Sequence, residues 1–140
     1  MIIPYIDRCP DMPATEESAG YDLRSMHDAE VHPDRITTIR TGIRINMSGT
    51  GLVGLISSRS GLYNKHGIRV GQGHGTLDAD FQGEILVLLT KDTPGIFRVG
   101  EGDRIAQLVF LPFARPSFAA TETFARTERG EGGLGHTGIK

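Results

Sequence analysis

Cysteine is nearly missing from this sequence: Cys9 stands alone among 140 residues. A single thiol closes no intrachain disulfide, and a reducing compartment suits such a chain. An excess of positive charge is missing too. The formal net charge is -2, with both signs scattered and no basic stripe to neutralise a run of phosphates. A grip on nucleic acid is therefore not expected, while a small anionic ligand held by a few arginines stays open. The opening stretch "MIIPYIDRCP" has no basic region, and Pro4 breaks its short apolar run. It is expected to be neither signal peptide nor membrane anchor. The cytoplasm, of a bacterium or of a virus-infected host cell, is the expected location.

Several chemical signatures are absent as well. His27, His32, His66, His74 and His136 are isolated, with no metal-binding pair among them. There is no nucleophile elbow and no Walker loop. A protein-ligated zinc is not expected, whereas a magnesium ion carried on substrate phosphates needs few protein ligands. No segment keeps apolar residues at helical spacing for three turns.

What the sequence has in quantity is glycine, 19 residues, nearly twice the usual ~7%. Its length suits one domain that buries roughly 70% of its unfolded surface. Ile43, Ile45 and Met47 alternate with polar residues, and "GLVGLIS" and "GEILVLLT" are short apolar runs bounded by glycine or charge. "GIFRVGEGDRIAQLVFLPF" reads as a strand, a tight turn over Gly100–Asp103 and a longer buried strand. One helical turn is predicted after Ser60, ending at Gly67. Many short strands divided by turn signals predict an all-β sandwich, barrel or jelly roll.

Five stretches carry more chemistry than β-structure needs. In "SAGYDLRS", Asp22 is either a strand-edge carboxylate or part of a site. In "SSRSGL", Arg59, Ser60 and Gly61 precede the helical turn. They form either a phosphate cradle or an N-cap serine beside a surface arginine. "GQGHGTLDADFQGE" spaces glycines at 71, 73 and 75 ahead of Asp78 and Asp80. That is either a hairpin with polar tip residues or a loop whose backbone approaches a ligand. In "GDRIAQL", Gln107 interrupts an apolar run, and a buried amide there must be hydrogen-bonded. The last stretch is the tail "RGEGGLGHTGIK", where glycine loses more backbone freedom on ordering than any other residue.

Taken in order, "AGYDLRS", "SRSGL", "GTLDADFQGE", "GDRIAQL" and "RGEGGLGHTG" resemble the five motifs of the trimeric dUTPases, from Ala19 to Gly138. The resemblance implies a jelly-roll-like β-fold over residues 1–126 and a flexible arm over 127–140 that closes on the active site. It implies a homotrimer with sites at subunit interfaces, and hydrolysis of dUTP to dUMP and pyrophosphate, with dUMP left for thymidylate synthesis. Asp78 matches the carboxylate that activates water for attack on the α-phosphorus. Arg59, Ser60 and Gly61 match the phosphate cradle, and Gln107 matches the amide at the α-phosphate. Asp22 matches a carboxylate that reaches Mg2+ through bound water, the ion resting mainly on substrate phosphates. Gln72, Gly73, Gly75, Thr76 and Leu77 match the uracil-reading hairpin, where fixed backbone donors and acceptors reject cytosine. Phe81 and Leu86 match further substrate contacts, and the arm brings Arg129 to the γ-phosphate with Gly132, Gly133, Leu134 and His136 around it. Nucleic acid and membrane are not expected partners.

Three residues depart from the pattern. Ser58 stands where the family usually has proline, which is expected to loosen that turn. Phe81 stands for tyrosine but keeps the ring that packs beneath the deoxyribose. Leu134 replaces the phenylalanine that stacks on uracil, a loss on the order of 1–3 kcal/mol. The related dCTP deaminases share the fold but place a glutamate ten residues after the motif-three aspartate, where this chain has Leu88. Deamination is therefore not expected. A non-enzymatic nucleotide sensor or protein-docking trimer is the other alternative, and the presence of Asp78, Gln107 and Arg129 speaks for catalysis.

Overall fold

The computed structural model describes residues 1–133. In chain order the strands are β1 (Tyr5–Asp7), β2 (Gly20–Arg24), β3 (Ala29–Val31), β4 (Thr37–Arg40), β5 (Ile43–Ile45) and β6 (Leu52–Ser57). The helix α1 (Ser60–His66) follows. Then come β7 (Ile68–Val70), β8 (Gly75–Leu77), β9 (Leu86–Lys91), β10 (Phe97–Val99) and β11 (Arg104–Pro112). The all-β expectation holds, with one short helix among the described residues. None of their helices is long and apolar enough to cross a membrane.

Every ladder between named strands is antiparallel. β2, β11, β6 and β8 form one sheet in that order, and β4, β9 and β7 form a second. Two-stranded ladders join β1 to β5 and β3 to β10. Alternation explains which side of each strand is apolar. Ile43 and Ile45 are buried with Arg44 exposed between them, and Met47 continues the buried face. Leu23, Ile56, Leu77 and Leu108 of the first sheet meet Ile39, Val70, Val87 and Leu89 of the second in one core cluster. Each such side chain contributes roughly 1.5–3 kcal/mol when fully buried.

The glycine turns serve as corners between sheets. Asp103 N–H donates to the Gly100 carbonyl, and Gly100 N–H donates to Asp103 Oδ2 at 2.8 Å. That turn carries the chain from β10, paired with β3, to β11 in the first sheet. Residues 71–74 behave likewise. β7 pairs with β9, and β8 pairs with β6, so the glycine-spaced stretch joins two sheets and is not the simple paired hairpin of the sequence reading. The φ of 85° at Gly73 permits that reversal.

The helix stops as predicted. Gly67 takes φ 68°, and its N–H donates back to the Tyr63 carbonyl. Its start differs from the N-cap serine reading. Arg59 occupies the cap position with extended backbone, and Ser60 is already helical. No side chain caps the helix there, which leaves the Arg59 guanidinium free to turn toward β2.

Candidate active site

Strand β11 organises the first group of residues. Its Gln107 lies level with Asp22 on β2 and with Ser57 on β6, so strand register alone brings motifs one, two and four together. A hollow of about 430 Å³ opens there, lined by Gly20, Asp22, Arg59, Ser60, Gly61 and Gln107 among others. Asp22 is the one carboxylate in its lining. Its Oδ1 lies 2.9 Å from Arg59 Nε, and its Oδ2 lies 3.4 Å from Arg104 Nη1. Arg59 Nη1 also donates to the Arg104 carbonyl at 3.2 Å. The two guanidinium groups and the carboxylate hold one another in place at the mouth of the hollow.

Gln107 is half-buried and its Nε2 donates to the Ser58 carbonyl at 3.2 Å. Gly20 packs under the amide so closely that a Cβ there would sit 2.4 Å from Gln107 Oε1. Both readings of this glutamine therefore apply: it ties the β6–α1 link to β11, and it faces the hollow. Ser58 does not simply loosen its turn. Its hydroxyl accepts a hydrogen bond from Val70 N–H at 2.9 Å, fastening the link to β7.

Arg104 is the contact that the sequence reading missed. Strict alternation would put residues 104 and 107 on opposite faces of a strand. A register shift between Arg104 and Ala106 breaks the alternation, and Ile105 and Ala106 are both buried. The bulge returns Arg104 to Asp22's side. Only an irregularity invisible to a period-two count separates this residue from the predicted set.

Asp78 lies elsewhere. Leu77 is level with Gly54 on β6, so the register continued by one residue sets Asp78 level with Val53. Gln107 is level with Ser57, at the other end of β6 and across its other edge. At ~3.3 Å per residue and ~4.8 Å per strand, the two backbones are on the order of 16 Å apart. Asp78 lines a separate hollow of about 700 Å³ with Ser48, Val53, Asp80, Phe113 and Arg115. It is exposed and makes no ion pair among the described residues. Within one chain, the carboxylate and the phosphate-sized hollow do not meet.

The other predicted residues divide in the same way. Gln72, Gly73 and Thr76 are exposed on the corner before Asp78, while Gly75 and Leu77 are buried and offer backbone only. Phe81 is 44% exposed, with its ring tip 2.5 Å from where a Gly83 Cβ would be. Leu86 is exposed at the start of β9 and borders neither hollow. Past Pro112 the described chain carries no strand or helix and is almost wholly exposed. There Arg129 Nε donates to the Gly132 carbonyl at 2.8 Å, away from both hollows, with Gly133 beside it. Leu134 and His136 lie outside the described residues.

Five ordered motifs, two of them meeting in one hollow with a third, now have a geometry that known proteins can be set against. The dUTPase family profile matches residues 10–138. The chain belongs to the dUTPase family. The deoxyuridine 5'-triphosphate nucleotidohydrolase of Pasteurella multocida (strain Pm70) is 46% identical over 127 residues, covering 89% of this chain and 84% of the relative. That of Haemophilus influenzae (strain PittEE) is 45% identical over the same length and coverage. Among solved structures, the dUTPase of Staphylococcus bacteriophage 80alpha with dUPNHPP matches with a TM-score of 0.89 at 26% identity, covering 99% of both chains. The jelly-roll-like expectation is thereby met at the level of the whole fold.

Proposed function

We propose that this chain hydrolyses dUTP to dUMP and pyrophosphate at sites shared between copies of itself in a homotrimer. The observation that carries the reading is the hollow at β2 and β11, where Asp22, Arg59 and Gln107 meet the Ser60–Gly61 turn. The Arg59 guanidinium, a hydroxyl, backbone N–H groups and an amide suit a polyphosphate. Among the described residues no general base lines that hollow apart from Asp22, which is ion-paired to Arg59 and Arg104. Asp78, the carboxylate that the family motif marks, is exposed with room for a water, and its distance from Gln107 calls for a second chain to complete each site.

In that arrangement Asp78 takes a proton from water as the oxygen attacks the α-phosphorus. The bond from the α-phosphorus to the bridging oxygen breaks, and pyrophosphate departs. Gln107 donates from its amide to an α-phosphate oxygen, and Arg59 with the Ser60 hydroxyl holds the chain behind it. Arg129 closes on the γ-phosphate, and ordering of the glycine-rich arm expels water. The corner at Gly73–Leu77 presents fixed backbone groups to uracil, and cytosine would leave them unpaired. The Phe81 ring excludes a 2′-hydroxyl by sterics.

Among the described residues no three His, Cys, Asp or Glu side chains cluster to bind a metal. The donor set fits a magnesium ion held by phosphates and water, with Asp22 reaching it through water. Such an ion neutralises charge on the triphosphate. The test is a panel of dUTP, dCTP, dTTP and UTP with magnesium, reading pyrophosphate and ammonia together. Rapid pyrophosphate release from dUTP alone is expected, with no ammonia from dCTP. Ammonia release from dCTP at a comparable rate would hand the chain to the deaminases despite Leu88.

A further inference from the structure

The link between β6 and α1 is only two residues long, Ser58 and Arg59. It carries the start of the phosphate cradle, so its placement decides where Arg59, Ser60 and Gly61 stand. Two hydrogen bonds from one residue hold it. The Ser58 carbonyl accepts from Gln107 Nε2, and the Ser58 hydroxyl accepts from Val70 N–H. The second bond has a reason in the sheet. Gly71 N–H donates to the Leu88 carbonyl on β9, so the Val70 N–H before it points away from that ladder. Val70 is 1% exposed. Its donor has little access to water, and the Ser58 hydroxyl is what satisfies it.

The same residue therefore joins two parts of the machinery. Through its hydroxyl it is bolted to β7, a buried strand of the second sheet. Through its carbonyl it takes one proton of the amide of Gln107, a residue that lines the hollow. Gly20 blocks the amide's retreat on the other side. A planar amide gripped at Nε2 and packed against Gly20 has one orientation left to offer a ligand.

We infer that Ser58 is a positioning residue, whose hydroxyl anchors the carbonyl that aims Gln107 at the scissile phosphate. This role rests on the assignment of Gln107 to the α-phosphate. It adds a requirement for a hydroxyl at residue 58 that the cradle motif does not contain. Ser58 touches no substrate in this scheme and acts only through Gln107 and the link.

The expected consequence is specific. Ser58→Ala lowers kcat and kcat/KM together by roughly tenfold, below the ~10²-fold that about an ångström of misplacement costs. Ser58→Thr keeps the hydroxyl and restores turnover. Amide hydrogen exchange at Val70 speeds up in Ser58→Ala and returns toward the wild-type rate in Ser58→Thr. In a Gln107→Ala background, Ser58→Ala produces little further loss, because the group it aims is gone. A general packing defect would instead multiply with Gln107→Ala. Should Ser58→Ala fail to fold, Ser58→Cys fills the same space with a weak acceptor and is read in its place. Wild-type kcat in the folded variant lacking the hydroxyl, or independent losses in the double variant, overturns the role. A slow Gln107→Ala enzyme beside an unimpaired Ser58→Ala enzyme overturns the anchor alone. A fully active Gln107→Ala enzyme overturns the assignment of Gln107 and the anchor with it.

Discussion

Asp22 and Asp78 show how one side-chain type takes two roles from two surroundings. Asp22 has an arginine on each oxygen, so its charge is already paired and it suits holding charge in place. Asp78 is exposed beside the Ser48–Val53 turn, with acceptor capacity to spare for a water. The proposed general-base role suits the second. Asp78→Asn keeps the shape and removes the proton acceptor. Turnover of dUTP should fall at least ~10²-fold, while a non-hydrolysable dUTP analogue still binds. Single-turnover kinetics beside calorimetry on the same preparation separates the two effects, and near-normal turnover would remove Asp78 from the mechanism.

Among the elements, the segment from Asp78 to β9 is pinned at Glu84. Its Oε1 accepts from Gly42 N–H at 2.8 Å, and Oε2 lies 2.9 Å from Arg40 Nε, tying the approach to β9 onto β4 and its link to β5. Burial pushes this carboxyl up, but the Gly42 N–H and then the Arg40 guanidinium outweigh it and hold it below the ordinary value. A lowered folded-state value means stability present above the unfolded value and lost as pH falls through the folded one. Glu84→Ala should cost about 1.5–3 kcal/mol near neutral pH, the range for a hydrogen bond to a charged group. The deficit should narrow in acid, as the native carboxyl protonates. Urea unfolding at several pH values checks it, and a deficit that stays constant into acid would show that Glu84 acts by packing alone. At this scale the sequence was most legible where periodicity was regular: the Ile43–Met47 face, the long β11 and the Gly67 stop follow from alternation and glycine chemistry. It was least legible where the chain changes sheets. Local residue types mark the turn at 71–74 but do not say that β7 and β8 take different partners, and the bulge that brings Arg104 to Asp22 leaves no mark in the hydrophobic pattern. The motif order picks out the candidate residues, and most of the described ones fall around two hollows and an exposed tail. Their division into two hollows depends on β6 register, a long-range property.

At the scale of the whole molecule, the two hollows lie apart within one chain, and the proposed scheme relies on a second copy and on the last part of the chain to complete each site. Phe118 and Phe124 are 96% and 91% exposed, in a stretch that touches little of its own body. Aromatic side chains bury large areas when they find a surface, so this stretch suits a neighbouring copy, while the glycine-rich end beyond it has little apolar surface to contribute. Two truncations separate these roles. Removing residues 129–140 should leave the trimer intact by light scattering yet abolish most activity, since the Arg129 guanidinium and the arm that closes over the triphosphate both go with it. Removing residues 113–140 should weaken the trimer as well, because both phenylalanines go with it. The shorter truncation then allows a test of how sites are shared. Co-refolding it with Asp78→Asn subunits, each nearly inactive alone, produces mixed trimers. If Asp78 and Arg129 at one site come from different chains, some sites in those trimers have both, and activity returns in proportion to the mixed fraction measured by native mass spectrometry. If Arg129 instead closes over the Asp78 of its own chain, no mixed trimer contains a complete site. Mixed trimers that form and stay inactive would therefore reject the shared arrangement and place Arg129 over the Asp78 of its own chain.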